Sequence, residues 1–427
     1  MTFNVTLHLL DGKHFLIEVY PWTTAADLRN VIEETIGCSQ SRKRRRTSGT
    51  QHECKRPVLF KVVVGNRFLP RSEKVLAEVG VREGTELTVI KEQPELALTD
   101  FNSCSAKVWN TSTGECIQTL SGHSSIVTDA AFALDADFVA TASDDSTARI
   151  WDTISGECLQ LFTGHSEGLC SVALSRDGSL VLTASYDKSA RLWDRVSGHC
   201  TLIFRGHTAC VESGMFSVSA DLVLTRGADE MAKVWSTASG ECKWTLFHGD
   251  LTDVLFSRNG ALIVTSGGRE AVIWSVSTGD RMLTFLGHRR MILSVAFSAD
   301  DGLVITASMD GSAKVWNAFS GECSKTLTCH GIVRCARFSA DSRTAVTIND
   351  DFKTHIWNVR SGECMQTFVG VTSYCNNWRA SAVISENGDF VLATSTDAAA
   401  KIWNVSSGEL MHSLDYSTVR LARLSTQ

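Results

Sequence analysis

The stretch Gly122-His-Ser-Ser-Ile-Val-Thr-Asp-Ala-Ala-Phe-Ala-Leu-Asp-Ala-Asp-Phe-Val-Ala-Thr-Ala-Ser-Asp-Asp-Ser-Thr-Ala-Arg-Ile-Trp-Asp152 decides the fold. It holds three short runs of apolar and β-branched residues, over 127–133, 138–143 and 148–152, broken by Asp/Ser turns. Runs of that length and composition read as antiparallel strands joined by tight turns. The frame then returns, from Gly164-His165 to Trp193-Asp194 and from Gly287-His288 to Trp316-Asn317. Trp109, Trp151, Trp193, Trp235, Trp274, Trp316, Trp357 and Trp403 follow one another at 42, 42, 42, 39, 42, 41 and 46 residues. A period of about 40–45 residues, filled by four short strands, is that of one β-propeller blade. The spacing predicts a mainly β fold with eight blades over 95–427. Seven is the alternative, with the Trp109 or Trp403 unit outside the ring.

The two ends of the repeat region support the larger number. Ahead of Trp109 there is room for two strands, 95–101 and 106–109, and no innermost one. After Trp403 come 409–414 and then Val419-Arg-Leu-Ala-Arg-Leu-Ser425, which matches the inner-strand segment Val333-Arg-Cys-Ala-Arg-Phe-Ser339. The C-terminal run is expected to insert beside the strands at 95–109 and complete the Trp109 blade, which leaves few exposed strand edges.

The recurrent Gly-His…Trp-Asp frame resembles the WD-repeat family over about 95–427. The resemblance implies a buried hydrogen-bonded network in each blade, made of a His, an Asp, a Ser/Thr and the Trp. By position its members are His123, Ser143, Asp145 and Trp151; His165, Ser185, Asp187 and Trp193; and His288, Ser308, Asp310 and Trp316. His207, Asp229 and Trp235 form a partial set with Gly227 in the serine position. The Trp274 blade has Gly268 for the Asp and a displaced His248; the Trp357 blade has Asn349 and a shifted His330. The resemblance also implies partner docking on the face around one channel mouth. It points to Tyr186, Met291, Leu293, Met309, Arg334, Trp378 and Arg420. Their alternative role is to fill the mouth of the channel.

Residues 1–94 differ from the rest. They hold 15 Lys/Arg against 11 Asp/Glu, net +4, and all four prolines, whereas the remainder holds 26 against 36, net −10. A domain boundary is expected at Pro94. Strand-like runs over 2–10, 14–20, 59–64 and 86–91 with a helix over 25–36 resemble the ubiquitin-like β-grasp fold, and a docking face near Val62 and Ile90 is one expectation. The insertion at 38–57 carries Arg42, Lys43, Arg44, Arg45 and Arg46, a block of like charge that reads as a solvated loop or a nuclear-localisation segment. Ser48, behind Arg45-Arg46-Thr47, is a candidate phosphosite, where a phosphate would cancel much of the local charge. The chain's 43% hydrophobic residues suit a globular core, and no run reaches 18 apolar residues. The alternating start, without a basic leader, leads to an expected cytoplasmic or nuclear location.

Chemistry is sparse. Six of the 14 cysteines, Cys116, Cys158, Cys200, Cys242, Cys323 and Cys364, occupy one repeat position and are expected to be small buried hydrophobes, not disulfides or zinc ligands. Gly164-His-Ser-Glu-Gly168 matches the nucleophile-elbow pattern but lies between two strands, not at a strand-to-helix turn. No enzyme activity, cofactor or metal is expected. The leading expectation is a scaffold that binds proteins or peptides on the propeller and a second protein through the front domain. Domain order also resembles ribosome-assembly factors of the Notchless type. Trp357-Asn-Val-Arg360 is close to the Trp-Asp-x-Arg of cullin-type ligase receptors. Neither membrane nor, given the −10 charge of the propeller, nucleic acid is an expected partner.

Overall fold

In a computed structural model of the chain, the described residues are 3–9, 14–19, 23, 28, 60–64, 67–68, 81, 86–91, 96–101, 104–351, 353–369, 382–385, 387–394, 399–415 and 419–424. The chain divides into two compact units, Met1–Pro94 and Glu95–Gln427. In the first, five strands make one sheet. Phe3–Leu9 lies between His14–Val19 and Glu86–Lys91, and Phe60–Val64 joins Glu86–Lys91 to the short Arg67–Phe68. Phe3–Leu9 and Glu86–Lys91 run parallel; the other pairings are antiparallel. Val62 pairs with Val89 and Ile90 with Lys61, so Val62 and Ile90 hold alternate register positions, which belong to opposite faces of the sheet, and do not form the single docking face expected from sequence. Apart from the buried Leu28, the expected helix over 25–36 lies outside the described residues, as does the insertion with Arg42–Arg46 and Ser48.

The second unit is a ring of eight four-stranded antiparallel sheets. Burial follows each strand's place in the blade. In the second strand of the Trp151 blade, Phe138–Ser143, every residue is buried, while the outermost, Cys158–Phe162, buries only Phe162 fully. Each of the eight blade tryptophans packs on the blade before it. Trp193 meets Phe162 at 5.6 Å between ring centroids, Trp235 meets Phe204 at 5.4 Å and Trp316 meets Phe285 at 5.3 Å. Burying an aromatic side chain of this size contributes roughly 2–3 kcal/mol. The seams between blades are therefore the core.

Closure follows the prediction from the two chain ends. Val419–Leu424 pairs antiparallel with Leu96–Phe101 and heads the sheet that contains Trp109. The final seam joins Trp109 and Ala97 to Ile402 and Leu414 of the Trp403 blade. Eight blades form, and neither end unit is left out of the ring.

The repeat cysteines depart from expectation. Cys116, Cys158, Cys242, Cys323 and Cys364 are exposed and Cys200 is half-buried. The position opens the outermost strand opposite the blade tryptophan, at a register shift such as the one between Val108 and Trp109. The thiol turns outward there, near the backbone carbonyl two residues on, as Cys116 Sγ does with Gln118 O at 3.4 Å.

Candidate interaction face

The Gly-His corner fixes the head of each regular blade. Gly122 has φ +155°, and a Cβ there would stand 3.1 Å from Trp151 Cη2. Glycine thus lets the chain pass over the indole and turn His123 inward. His123 Nδ1 lies 2.8 Å from Asp145 Oδ2, and Nε2 lies 2.8 Å from Thr141 Oγ1. Trp151 Nε1 donates to the same Thr141 Oγ1 at 2.8 Å. One assignment satisfies all the donors and acceptors: imidazole Nδ1–H donates to Asp, the Thr hydroxyl donates to Nε2, and the indole N–H donates to the Thr oxygen. The arrangement recurs at His165/Asp187/Thr183/Trp193, His207/Asp229/Thr225/Trp235 and His288/Asp310/Thr306/Trp316.

The hydroxyl in this network is that of a threonine ten residues before the tryptophan, not of Ser143, Ser185 or Ser308. Ser143 Oγ donates to Ser125 O and accepts from Asp145 N, strapping the turn. Ser185 and Ser308 do the same. The replacement of serine by Gly227 therefore leaves the Trp235 network complete. Burial pushes the pKa of His123, His165, His207 and His288 below the usual 6.5, favouring the neutral ring. Burial alone would raise the Asp310 pKa, but bonds from Ser312, the Arg289 N–H and His288 bring it down to about 2.

In the Trp357 blade Cys329 takes the histidine's place, with Sγ 3.7 Å from Thr347 Oγ1, and burial raises its pKa to about 11. His330, the shifted histidine of the sequence, contributes only its carbonyl, which accepts from Asn349 Nδ2 at 2.9 Å. Asn358, the variant residue of the Trp-Asp-x-Arg-like stretch, accepts from the N–H of Arg360 and Ser361 and so shapes a turn.

The same corners set the candidate docking residues side by side. Met309 N donates to Met291 O at 2.9 Å and Tyr186 N to Gly168 O at 3.0 Å, so corresponding residues line one rim. Met291, Leu293 and Met309 are half-buried and Tyr186 is 49% exposed. Arg334 is held by Asp350, Nε to Oδ1 at 2.5 Å, which withdraws part of its charge from a partner. Trp378 and the side chain of Arg420 lie outside the described residues. One feature carried no sequence signal that separates it from ordinary strand alternation. Asp129 Oδ2 accepts from Ser171 Oγ and Val172 N of the next blade, and Asp253 Oδ2 accepts from Val295 N. These carboxylates latch neighbouring inner strands.

Among the described residues no group of three or more His, Cys, Asp or Glu side chains is placed to hold a metal. No described helix is long and apolar enough to cross a membrane. Residues 114–152, 156–194, 279–317 and 321–358 match the WD domain, G-beta repeat family. Protein tipD of Dictyostelium discoideum is 36% identical over 89 residues, 21% of this chain and 14% of that protein. Eukaryotic translation initiation factor 3 subunit I of Debaryomyces hansenii is 40% identical over 74 residues, 17% and 21% of the two chains. The Periodic tryptophan protein 2 homolog of Mus musculus is 35% identical over 65 residues, 15% and 7%. The match spans less than a quarter of each of these relatives. The chain carries WD repeats arranged as an eight-bladed β-propeller, a fold that suggests a protein-interaction scaffold.

Proposed function

We propose that this protein is a non-enzymatic scaffold that binds a partner protein or peptide on the rim formed by Met291, Leu293, Met309 and Tyr186. The observation that carries the reading is the pairing of Met291 with Met309 at the head of one blade, beside a half-buried Leu293. Flexible apolar side chains grouped on a rim suit an adaptable hydrophobic contact. The His–Asp pairs support no catalytic reading, because the same geometry recurs in four blades with each ring tied to a Thr–Trp pair. The strand order in Met1–Pro94, with parallel Phe3–Leu9 and Glu86–Lys91 side by side, supports a ubiquitin-like reading of that unit. Under it a second protein would be recruited there.

The test is affinity capture of the full chain compared with a Met291→Asp, Met309→Asp double variant of unchanged thermal stability. Loss of the same partners from the variant is expected. Equal capture would remove this rim from consideration. The identity of the captured proteins also decides a narrower reading, a role beside ribosomal particles. One relative whose name points to translation, the eukaryotic translation initiation factor 3 subunit I, is matched over a short stretch only.

A further inference from the structure

At the other end of the inner strands lies a cavity of about 310 Å³. Four consecutive blades end their inner strands on it, at Phe256, Phe297, Phe338 and Ile384. The extended strand Ile292–Phe297 is six residues long, about 17 Å from end to end, so this mouth is well removed from Met291. An apolar residue at the strand end is a repeat feature, since Phe132, Leu174 and Phe216 hold the same place. At the position before that residue this mouth has Arg337, where the Trp151, Trp193 and Trp316 blades have Ala131, Ala173 and Ala296; of the other inner strands only that of the Trp109 blade has an arginine there, Arg423.

Arg337 is fixed but not saturated. Its Nη1 donates to Ser294 Oγ at 2.9 Å, Val295 O at 2.8 Å and Ala336 O at 3.3 Å. Its Nη2 stands 3.8 Å from Asp253 Oδ2, beyond hydrogen-bond length, and no described residue accepts from its Nε. Arg258, exposed on the same wall, has no described acceptor for its guanidinium. The cavity's own carboxylate is spent: Asp301 Oδ1 accepts from Arg258 N at 2.7 Å and Oδ2 from Asn259 N at 2.8 Å. Arg258 and Arg337 thus border a cavity also lined by Phe256, Phe297 and Phe338, on a propeller that is otherwise acidic; Arg337 is in a long ion pair with Asp253, and its Nε has no acceptor among the described residues.

We propose that this cavity takes a peptide segment in which a carboxylate side chain neighbours an aromatic or branched apolar one. The carboxylate would meet Arg337 Nε and Nη2 and Arg258; the apolar side chain would lie on the phenylalanines. The volume is at the small end of ligand sites, about 300–1,000 Å³, which suits one or two side chains. Arg337 is held at a fixed angle by three acceptors, so little rotamer freedom is lost on binding. The proposal stands apart from the Met291 rim.

The probe is fluorescein-labelled Gly-Glu-Asp-Phe-Leu-Gly, followed by anisotropy with the full chain at low salt. Saturable binding is expected, weakened about tenfold or more by Arg258→Glu, whose side chain has no hydrogen-bond partner among the described residues, and by replacing Glu-Asp in the peptide with Gln-Asn. Arg337→Gln should weaken binding too where it folds; Arg258→Glu keeps the test decisive where it does not. The Met291→Asp, Met309→Asp variant should bind as the parent does. Absence of binding up to about 1 mM peptide, or equal binding by Arg258→Glu or the Gln-Asn peptide, would overturn the proposal. Displacement by free 3-phenylpropionate at the same concentration as by peptide would assign the cavity to small carboxylates and overturn the peptide reading.

Discussion

Trp274 Nε1 donates to Thr265 Oγ1 at 2.8 Å from nine residues downstream, where the corresponding pairs in six other blades, Trp193 and Thr183 among them, lie ten apart. The hairpin at Gly267–Gly268 is one residue shorter, and the aspartate that would close the network is gone. His248 keeps the threonine but uses the other nitrogen, Nδ1 to Thr265 Oγ1 at 2.7 Å. Its Nε2 is buried without a hydrogen bond, 3.9 Å from Glu270 Oε1, which is itself engaged by Arg281 at 2.7 Å. The irregular 39-residue spacing thus has a physical content: a blade that keeps the indole anchor and loses the histidine–aspartate hydrogen bond.

That difference predicts unequal costs. His165→Leu would strip Asp187 and Thr183 of a buried partner and should destabilise by about 2–4 kcal/mol. His248→Leu removes a ring whose Nε2 is already unpaired and should cost about 1 kcal/mol or less. Thermal unfolding of the two variants is the comparison. A larger loss for His248→Leu would contradict the assignment.

Threonine, not serine, is the hinge of the network. Thr183→Val, near-isosteric, should leave both His165 Nε2 and Trp193 Nε1 unbonded and cost about 2–4 kcal/mol, against about 1 kcal/mol for Ser185→Ala. The reverse order in melting temperature would restore the serine to the role expected from sequence.

The network histidines also set a pH dependence. Their folded pKa values lie below 6.5, so the unfolded chain binds protons more readily. Their contribution to stability is full above pH 6.5 and is lost as pH falls through the lowered folded values. Nitrogen-15 spectra of the imidazoles should show the neutral Nδ1–H form of all four at pH 6.5, each with a protonation midpoint below that value. A midpoint above 6.5 for any of them would contradict the buried, Thr-accepting geometry.

Tryptophan spacing specified eight blades because a seam residue must recur once per blade, and the Val419–Leu424 match disclosed closure because an inner strand has its own pattern. Sequence does not separate the network threonine from the serine, because Thr183 and Ser185 share a face two residues apart and only distance separates their partners. Cysteine exposure was missed because a bulge, invisible in composition, turns the thiol outward. Cys329 replaces a histidine by occupying the same space, which the neighbouring His330 disguised. Arg337 read as one more strand residue; its neighbours come from two other blades.

The thiols offer a direct check on that bulge. Cys116, Cys158, Cys242, Cys323 and Cys364 should label in the native protein, whereas the buried Cys170, Cys329 and Cys335 should label only on unfolding. Mass spectrometry after brief alkylation reads this site by site. Protection of the five repeat cysteines would place their strand in the wrong register.

Closure makes the strongest demand. Removing 419–427 would strip Leu96–Phe101 of its inner partner and expose one flank of the seam that holds Trp109 against Ile402 and Leu414. Each lost strand exposes backbone donors and acceptors as well as apolar surface, and a ring opened at one seam loses the constraint shared by all. The truncated chain should melt well below the parent, by about 5 °C or more, and its 96–110 segment should exchange amide hydrogens faster. An unchanged melting temperature would mean that the ring does not depend on this strand for closure.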